Sequence, residues 1–194
     1  MINIDQSRLG VSIGNVDYKN PIILASGTCN FGHELSEYYD LSILGGLSSK
    51  GLTIKPRQGN PGCRVAETAS GMLNSVGLQN PGVDYFIEHD LDYMVNSGMK
   101  VIVNVAGHSF DDYIHMVQKL DLHKEKIDAL EINLSCPNVK AGCMSVGSDP
   151  VQVKEIVSLI TGMGISFGMG AVVDYFKAKG DITAALIVCA ITMF

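Results

Sequence analysis

The sequence predicts an α/β fold built on a parallel sheet, as in the TIM type of (β/α) barrel. Segments typical of strands and helices alternate along the first 158 residues, which favours parallel strands joined by crossover helices. Several of the strand segments are continuous apolar runs, as expected for strands that are covered on both faces. Polar side chains follow four of these strands, and barrel enzymes hold their active sites at the carboxyl ends of their strands.

The first quarter of the chain predicts a lead-in, two strands and a helix. Residues 2–19 suit a short hairpin. Pro21–Ser26 is an apolar run bounded by proline and glycine, which indicates a buried strand. A helix is expected over Glu34–Leu44, where two glycines then stop it, and a second strand over Gly46–Lys50.

A long loop is expected next, from about Leu52 to Pro81. A loop of this length is unusual in a compact domain and is more often functional than idle. It contains many glycines together with several asparagines and two arginines. Backbone that is rich in glycine can approach a flat ligand closely.

The following segments have clearer periodicity. Val83–Asn96 predicts an amphipathic helix and Lys100–Ala106 a buried strand with one polar insertion. Ser109–Leu120 predicts a helix capped by its first serine. Ala129–Ser135 alternates apolar and polar residues as a strand does, and Asp149-Pro150 begins a further helix.

The ends of the four predicted strands carry the candidate functional residues. They are Ser26, Lys50, Asn104, and Asn133 with Cys136. If neighbouring strands lie side by side, all of these side chains face one rim of the sheet. A lone cysteine at a strand end is more often a small buried hydrophobe than a base or nucleophile. The polar residues at the other strand ends favour a catalytic role for Cys136 here.

Composition narrows the class of protein. The formal net charge is −6 and no basic patch is visible, so nucleic acid is not an expected partner. The five cysteines are odd in number and include no C-x-x-C pair, which fits reduced thiols in the cytoplasm. The histidines are scattered, so no metal site is predicted, and the N-terminus has no apolar run typical of a secretory signal.

The end of the sequence differs from the rest. Residues 156–173 and 182–194 contain no charged side chain. The first run is at the lower limit for a membrane span and the second is too short. A complete eightfold barrel needs roughly 250 residues, so we expect a barrel truncated to about half, over residues 1–158, followed by an apolar tail over 159–194.

Five stretches of the sequence are specific enough to resemble a known family. NPIILASGT, LSSKGLT, GNPGCRVAETASGMLNSVGLQNPG, VIVNVAG and EINLSCPNV resemble, in this order, the class 1 dihydroorotate dehydrogenases. The similarity is greatest to the class 1B, NAD-linked catalytic subunit, and it covers about residues 1–158. It implies a barrel that binds flavin mononucleotide (FMN) and oxidises dihydroorotate to orotate in pyrimidine synthesis. The implied partners are a second copy of the chain and an iron–sulfur FAD subunit that carries electrons.

The resemblance also implies roles for residues at matching positions. Cys136 would be the general base. The flavin contacts would be Ala25, Ser26, Gly27, Lys50, Gly51, Asn104 and Asn133. The substrate contacts would be Lys50, Asn74, Ser75, Val76, Gly77, Leu78, Asn133 and Asn138. These residue types suit the chemistry, because an amide side chain offers both a donor and an acceptor to a ring with N–H and C=O edges.

The sequence departs from the family after about residue 158. The family's next strand carries a lysine in a V-K-L-S-P-like context, and glycine-rich turns hold the flavin phosphate further on; neither is present in these 194 residues. We therefore expect this chain by itself to bind flavin weakly or not at all. Two alternatives stay open: an inactive or membrane-associated fragment, and a flavoenzyme similar to the dihydropyrimidine dehydrogenases.

Overall fold

The computed structural model describes residues 6–134 and 149–162. The strands are β1 Val11–Ile13, β2 Val16–Tyr18, β3 Ile23–Leu24, β4 Gly46–Ser48, β5 Val65–Thr68, β6 Gly71–Asn74, β7 Lys100–Ala106 and β8 Ala129–Asn133. The α-helices are α1 His33–Ser36, α2 Val83–Tyr85, α3 Leu91–Asn96, α4 Phe110–Asp121 and α5 Pro150–Gly162. A π-helical turn, Phe86–Asp90, joins α2 to α3, and 3-10 turns occupy Gln6–Leu9, Leu41–Ile43 and Lys124–Lys126.

The main sheet is parallel and its strands follow the order of the chain, β3-β4-β7-β8. Gly46 lies opposite Lys100, and Ile102 lies opposite Ala129. Each new strand is therefore added to the same side of the sheet. This is the winding of a (β/α) barrel, whereas a doubly wound sheet reverses its strand order at a switch point. The predicted parallel α/β fold is confirmed.

The two faces of the sheet differ in what covers them. Val101, Val103 and Val105 of β7 belong to the large buried cluster, together with side chains from the helices. Ile102 points to the opposite face, where it packs against Val16 and other residues of the β1–β2 hairpin. Alternation along β7 places Asn104 on the same face as Ile102. This second face, which we call the inner face, carries the polar residues of the candidate site.

The elements with strong periodicity form as predicted. The strand Lys100–Ala106 has the predicted bounds. Helix α4 is capped by Ser109, whose hydroxyl oxygen accepts the Asp112 N–H at 3.2 Å. Helix α5 begins after Asp149, whose carboxylate accepts the Val151 N–H at 2.9 Å. The predicted helix over Val83–Asn96 also forms, with the π-helical turn in its middle.

The predicted helix over Glu34–Leu44 is wrong for most of its length. Only His33–Ser36 is α-helical, and a separate 3-10 turn follows over Leu41–Ile43. Asp40 is extended, with φ −69° and ψ 113°, and its carboxylate accepts the Ser42 N–H at 2.8 Å. An aspartate that binds the backbone two residues ahead begins a new turn and so interrupts a helix.

The predicted strand Pro21–Ser26 is shorter than expected. Only Ile23 and Leu24 pair with β4, and both are half-buried rather than buried. Strand β3 is only half-buried because it is an edge strand of the four-stranded sheet. The fourth strand ends at Asn133, and the last residue of its predicted range, Ser135, lies outside the described residues.

The long loop contains a hairpin that the sequence did not predict. Strands β5 and β6 pair antiparallel, and all eight of their residues are exposed. Asn80 closes the loop against its beginning. Its buried side-chain oxygen accepts the N–H groups of Thr53 at 3.1 Å and Gly82 at 3.0 Å, and its amide donates to the Leu78 carbonyl at 2.9 Å.

We expect Asn80→Ala to lower the free energy of unfolding by about 3 kcal/mol, because two buried N–H groups lose their acceptor and each such loss costs about 1–3 kcal/mol. Urea unfolding of the chain measures the change. Asn60→Ala is the matched control in the same loop. Asn60 is exposed and its amide donates to the Ser75 carbonyl at 3.0 Å, so this variant should lose less than about 1 kcal/mol. Equal losses would contradict the assigned role of Asn80.

Within the described ranges, no helix is long and apolar enough to cross a membrane. The same ranges hold no group of three or more side chains able to bind a metal ion. Most of the uncharged run at residues 156–173, and all of 182–194, lies outside the described residues, so the predicted apolar tail stays a prediction.

Candidate functional site

A tight turn follows β3 at the carboxyl end of the sheet. The Thr28 N–H and hydroxyl donate to the Ala25 carbonyl at 3.3 and 2.7 Å. Gly27 occupies the third position of this turn with φ +83°, a conformation that favours glycine. The Ser26 hydroxyl donates to the Ser49 carbonyl at 2.7 Å, which fastens the turn to the residue that follows β4.

Lys50 lies beside this turn. Its backbone N–H donates to the Asn30 carbonyl at 3.0 Å. A Cβ atom placed on Gly27 would be 4.0 Å from the Lys50 ammonium, so the two residues are neighbours across the rim. Within residues 6–134 and 149–162 Lys50 forms no ion pair. Burial lowers the pKa of Lys50, as expected for a partly desolvated amine without an anionic neighbour. The arrangement suits an anionic ligand.

Two asparagines of the inner face also lie near the carboxyl end of the sheet, Asn104 on β7 and Asn133 on β8. Asn104 is 1% exposed. The side-chain nitrogen of Asn133 lies 3.4 Å from the side-chain oxygen of Asn104. That distance is long for a strong hydrogen bond. The Asn133 backbone carbonyl accepts the Tyr113 hydroxyl at 2.7 Å, which fixes the end of β8 against α4.

Gly51 leaves space for this pair. A Cβ atom at Gly51 would be 2.8 Å from the Asn104 side-chain oxygen and 3.1 Å from Cδ1 of Leu78. The long loop therefore reaches the rim at Leu78, a non-glycine residue with φ +53°. Lys50, Asn104 and Asn133 lie at one end of the sheet, as strand order predicted, and Gly51 and Leu78 lie beside Asn104; their contacts with a ligand stay predictions.

The remaining substrate segment lies further along the loop. Asn74 is the exposed last residue of β6. The Ser75 N–H donates to the Arg64 carbonyl at 2.7 Å, and the Val76 carbonyl accepts the Asn60 N–H at 3.1 Å. Gly77 approaches Asn60 so closely that a Cβ atom would be 2.6 Å from its side chain. These bonds shape the segment, and its contact with a ligand stays a prediction.

The predicted base lies outside the described residues. Cys136 falls within the range 135–148, together with the neighbouring Asn138. The role of Cys136 as the base therefore stays a prediction.

The sequence analysis missed a carboxylate on the inner face. Glu131 of β8 lies opposite Asn104 in the parallel register, and its carboxylate accepts the Ser48 hydroxyl. Ser48 itself is 2% exposed. The alternation of β8 contained the signal, because Glu131 and Asn133 occupy the same face of a strand. The partner on β4 could be found only from the pairing of three strands.

These features define a class of protein, a parallel β/α protein with a polar ligand site at the carboxyl end of its sheet. A family model for dihydroorotate dehydrogenase matches residues 8–164. The chain belongs to the dihydroorotate dehydrogenase family.

The relatives are similar over the same part of the chain. It is 49% identical over 150 residues to "Dihydroorotate dehydrogenase B (NAD(+)), catalytic subunit" of Alkaliphilus metalliredigens (strain QYMF), covering 77% of this chain and 49% of that protein. It is 50% identical over 148 residues to the protein of the same name from Thermoanaerobacter sp. (strain X514), covering 76% and 48%. The chain thus spans about half the length of the curated relatives it matches.

A solved structure supports the fold. The crystal structure of DHODH in complex with ferulenol from Eimeria tenella matches with a TM-score of 0.61 and 20% identity, covering 84% of this chain and 45% of that one. At this identity the likeness concerns the fold alone.

The rim residues fit a flat conjugated ring. Gly27 is exposed and has no side chain beside Lys50, so a ring can approach the backbone there, whereas the space beside Gly51 is filled by Asn104 and Leu78. The half-buried ammonium of Lys50 and carboxamide of Asn133 offer a cation, a donor and an acceptor to the edge of such a ring, whereas Asn104 is 1% exposed in this structure.

Proposed function

We propose that this protein oxidises dihydroorotate to orotate in pyrimidine synthesis, with FMN as its cofactor. The observation that carries the proposal is the meeting of Gly27, Lys50, Gly51, Asn104 and Asn133 at one end of a parallel sheet. Family membership supports it. We further propose that residues 1–158 provide the first β/α units of a barrel and that residues 159–194 are an apolar tail, of which the first four residues complete helix α5.

The proposed binding roles follow from position and residue type. Ala25, Ser26 and Gly27 would present backbone to the flavin from the turn after β3, and Lys50, Gly51, Asn104 and Asn133 would contact its ring edge. Asn74–Leu78 would cover the substrate from the long loop, with Asn133 and Asn138 on the other side. Lys50 would also attract the carboxylate of the substrate, because a partly desolvated cation interacts strongly with an anion.

The proposed reaction separates a proton from a hydride. Cys136, as thiolate, would take a proton from the substrate carbon next to the ring carbonyl. Bound FMN would supply the acceptor for the hydride that leaves the neighbouring carbon. A thiol serves as base when a nearby cation or donors lower its pKa. The residues around it would hold the ring in place and exclude water.

The reaction is tested by adding dihydroorotate anaerobically to the 194-residue chain in the presence of excess FMN. We expect orotate to appear in proportion to the flavin absorbance that is lost. In a parallel assay with chemically reduced FMN as electron donor, reduction of uracil together with no oxidation of dihydroorotate would instead indicate a pyrimidine-reducing enzyme. Stoichiometric flavin on the purified chain would contradict the weak binding expected of these residues alone.

We expect Cys136→Ser to slow flavin reduction by dihydroorotate about a hundredfold or more, since a positioned general base contributes about 10²–10⁴ in rate and an alcohol is a weaker base than a thiolate. Stopped-flow absorbance measures the rate. Cys63→Ser is the control, because Cys63 is exposed and its thiol only donates to the Val65 carbonyl at 3.2 Å. Equal rates in the two variants would remove Cys136 from the mechanism.

We propose that the electrons leave through an iron–sulfur FAD subunit and that the chain pairs with a second copy. The relatives' printed name, the catalytic subunit of an NAD(+) enzyme, supports a partner subunit, and the iron–sulfur FAD group and the second copy are what the family resemblance implies. A cytoplasmic location is proposed on the reduced cysteines. Co-purification with an iron–sulfur flavoprotein would support the first proposal, and sedimentation would test the second.

A further inference from the structure

The pairing of β4 with β7 changes at the rim. Ser48 lies opposite Ile102, and an isolated bridge then joins Leu52 to Val105. From the first pair to the second, the chain after β4 advances four residues while β7 advances three. One extra residue on one strand is a β-bulge, a feature that is common next to active sites because it re-aims a side chain. Lys50 lies inside this bulge.

Ser49 completes the sheet at the bulge. Its backbone N–H donates to the Ile102 carbonyl at 2.9 Å. Its hydroxyl oxygen accepts the Asn104 N–H at 3.0 Å, and the same hydroxyl donates to the Lys50 carbonyl at 3.1 Å. The hydroxyl therefore links the Asn104 N–H of β7 to the Lys50 carbonyl within the bulge. Ser49 is fully buried, so water does not replace it.

We propose that Ser49 is a positioning residue, whose hydroxyl joins the backbone of β7 to that of Lys50 across the bulge and so holds Lys50 beside Gly27 on the rim. This inference rests on the proposed function, because it assigns Ser49 the placement of the cation for the flavin and the substrate. Without the hydroxyl, the Lys50 carbonyl and the Asn104 N–H either pair directly or stay unsatisfied. Either outcome moves the backbone at Lys50, because the Ser49 hydroxyl holds both the Asn104 N–H and the Lys50 carbonyl, and Lys50 then shifts from its place beside Gly27.

The experiment measures where Lys50 lies, without relying on turnover. Reductive methylation acts on neutral amines, and mass spectrometry of the full chain gives the pH midpoint of labelling for each lysine. In the wild type we expect a Lys50 midpoint below the ordinary lysine value of about 10.4, because the amine is partly buried. In Ser49→Ala the Lys50 midpoint should rise towards the ordinary value of about 10.4, while Lys55 stays unchanged. Ser49→Thr keeps the hydroxyl and should restore the wild-type midpoint.

Ser48→Ala is the matched control. Ser48 is the buried last residue of β4 and directly precedes Ser49, but its hydroxyl donates to Glu131 rather than into the bulge. Its removal should leave the Lys50 midpoint unchanged. If Ser49→Ala does not fold, Ser49→Cys replaces it, since a thiol has similar volume and is a poor acceptor. The same upward shift is then expected.

A second readout connects the position of Lys50 to ligand binding. Orotate affinity, measured by calorimetry with FMN present, should fall about tenfold in Ser49→Ala and recover in Ser49→Thr. An unchanged Lys50 midpoint in folded Ser49→Ala, or an equal shift in Ser48→Ala, would overturn the inference. A shifted midpoint in a protein that does not bind orotate would retain the placement by Ser49 and reject the proposed function instead.

Discussion

Gly45→Ala is expected to lower the free energy of unfolding by about 3 kcal/mol or more, the largest change in stability among these variants. Gly45 is buried between two chain segments. Its N–H donates to the Ile22 carbonyl at 2.9 Å and its carbonyl accepts the Lys100 N–H at 3.1 Å. A Cβ atom would be 2.1 Å from the Asn20 carbonyl oxygen and 3.1 Å from that of Ile22.

The expected size follows from what the new methyl group would meet. Both nearest neighbours are backbone oxygens, which cannot move aside as the end of a flexible side chain can. Relief therefore requires β3 and β4 to separate, and this breaks the hydrogen bonds that begin the parallel sheet. Urea unfolding followed by circular dichroism measures the loss.

Gly71→Ala is the control for the effect that a glycine-to-alanine change has on stability when no steric clash results. Gly71 begins the exposed strand β6, and its nearest neighbour would be the Thr68 hydroxyl at 3.8 Å, an ordinary contact. This variant should change stability by less than about 0.5 kcal/mol. A similar small change in Gly45→Ala would show that β3 and β4 are not packed as described.

The parts of the fold that the sequence predicted are those in which local pattern and burial agree. In β7 the apolar run of Lys100–Ala106 is buried on both faces, and in α4 the cap at Ser109 coincides with the start of the apolar stripe. The helix expected after Glu34 failed because the Asp40 carboxylate binds Ser42, a local contact that competes with helix formation. The sequence of the β5–β6 hairpin has no alternation of apolar and polar residues that predicts strands, because both faces of the hairpin are exposed.

The candidate site also has features that the sequence predicted and features that it did not. The ends of parallel strands meet at one edge, so the neighbourhood of Lys50, Asn104 and Asn133 followed from strand order alone. The bulge at Ser49 did not, because it exists only through the register of β4 against β7. The arrival of Leu78 at Gly51 likewise depends on Asn80, which closes a loop of nearly thirty residues through contacts distant in the sequence.

Lys50→Met is expected to weaken the binding of orotate or FMN about tenfold to a hundredfold. A hydrogen bond to a charged group contributes about 1.5–3 kcal/mol, and every 1.4 kcal/mol is about tenfold in affinity. Methionine has nearly the length of the lysine side chain and retains its apolar contacts, so the variant removes mainly the charge. Calorimetric titration of orotate in the presence of FMN measures the loss.

The same variant should not destabilise the protein in the absence of ligand. Burial lowers the pKa of Lys50 in the folded state, so folding disfavours its charged form. The resulting cost is fully present at neutral pH and is relieved only as pH rises through the lowered folded pKa towards the ordinary value of about 10.4. Methionine removes this cost, and the unliganded variant should be at least as stable as the wild type at pH 7.

Lys55→Met is the matched control, because Lys55 is an exposed lysine five residues further along the chain. It should change neither the affinity nor the stability beyond the scatter of surface substitutions. Reduced stability of Lys50→Met with unchanged affinity would make Lys50 a structural lysine. Reduced affinity with retained or increased stability is the outcome expected of a cation that is kept partly desolvated for an anionic ligand, at the expense of the unliganded fold.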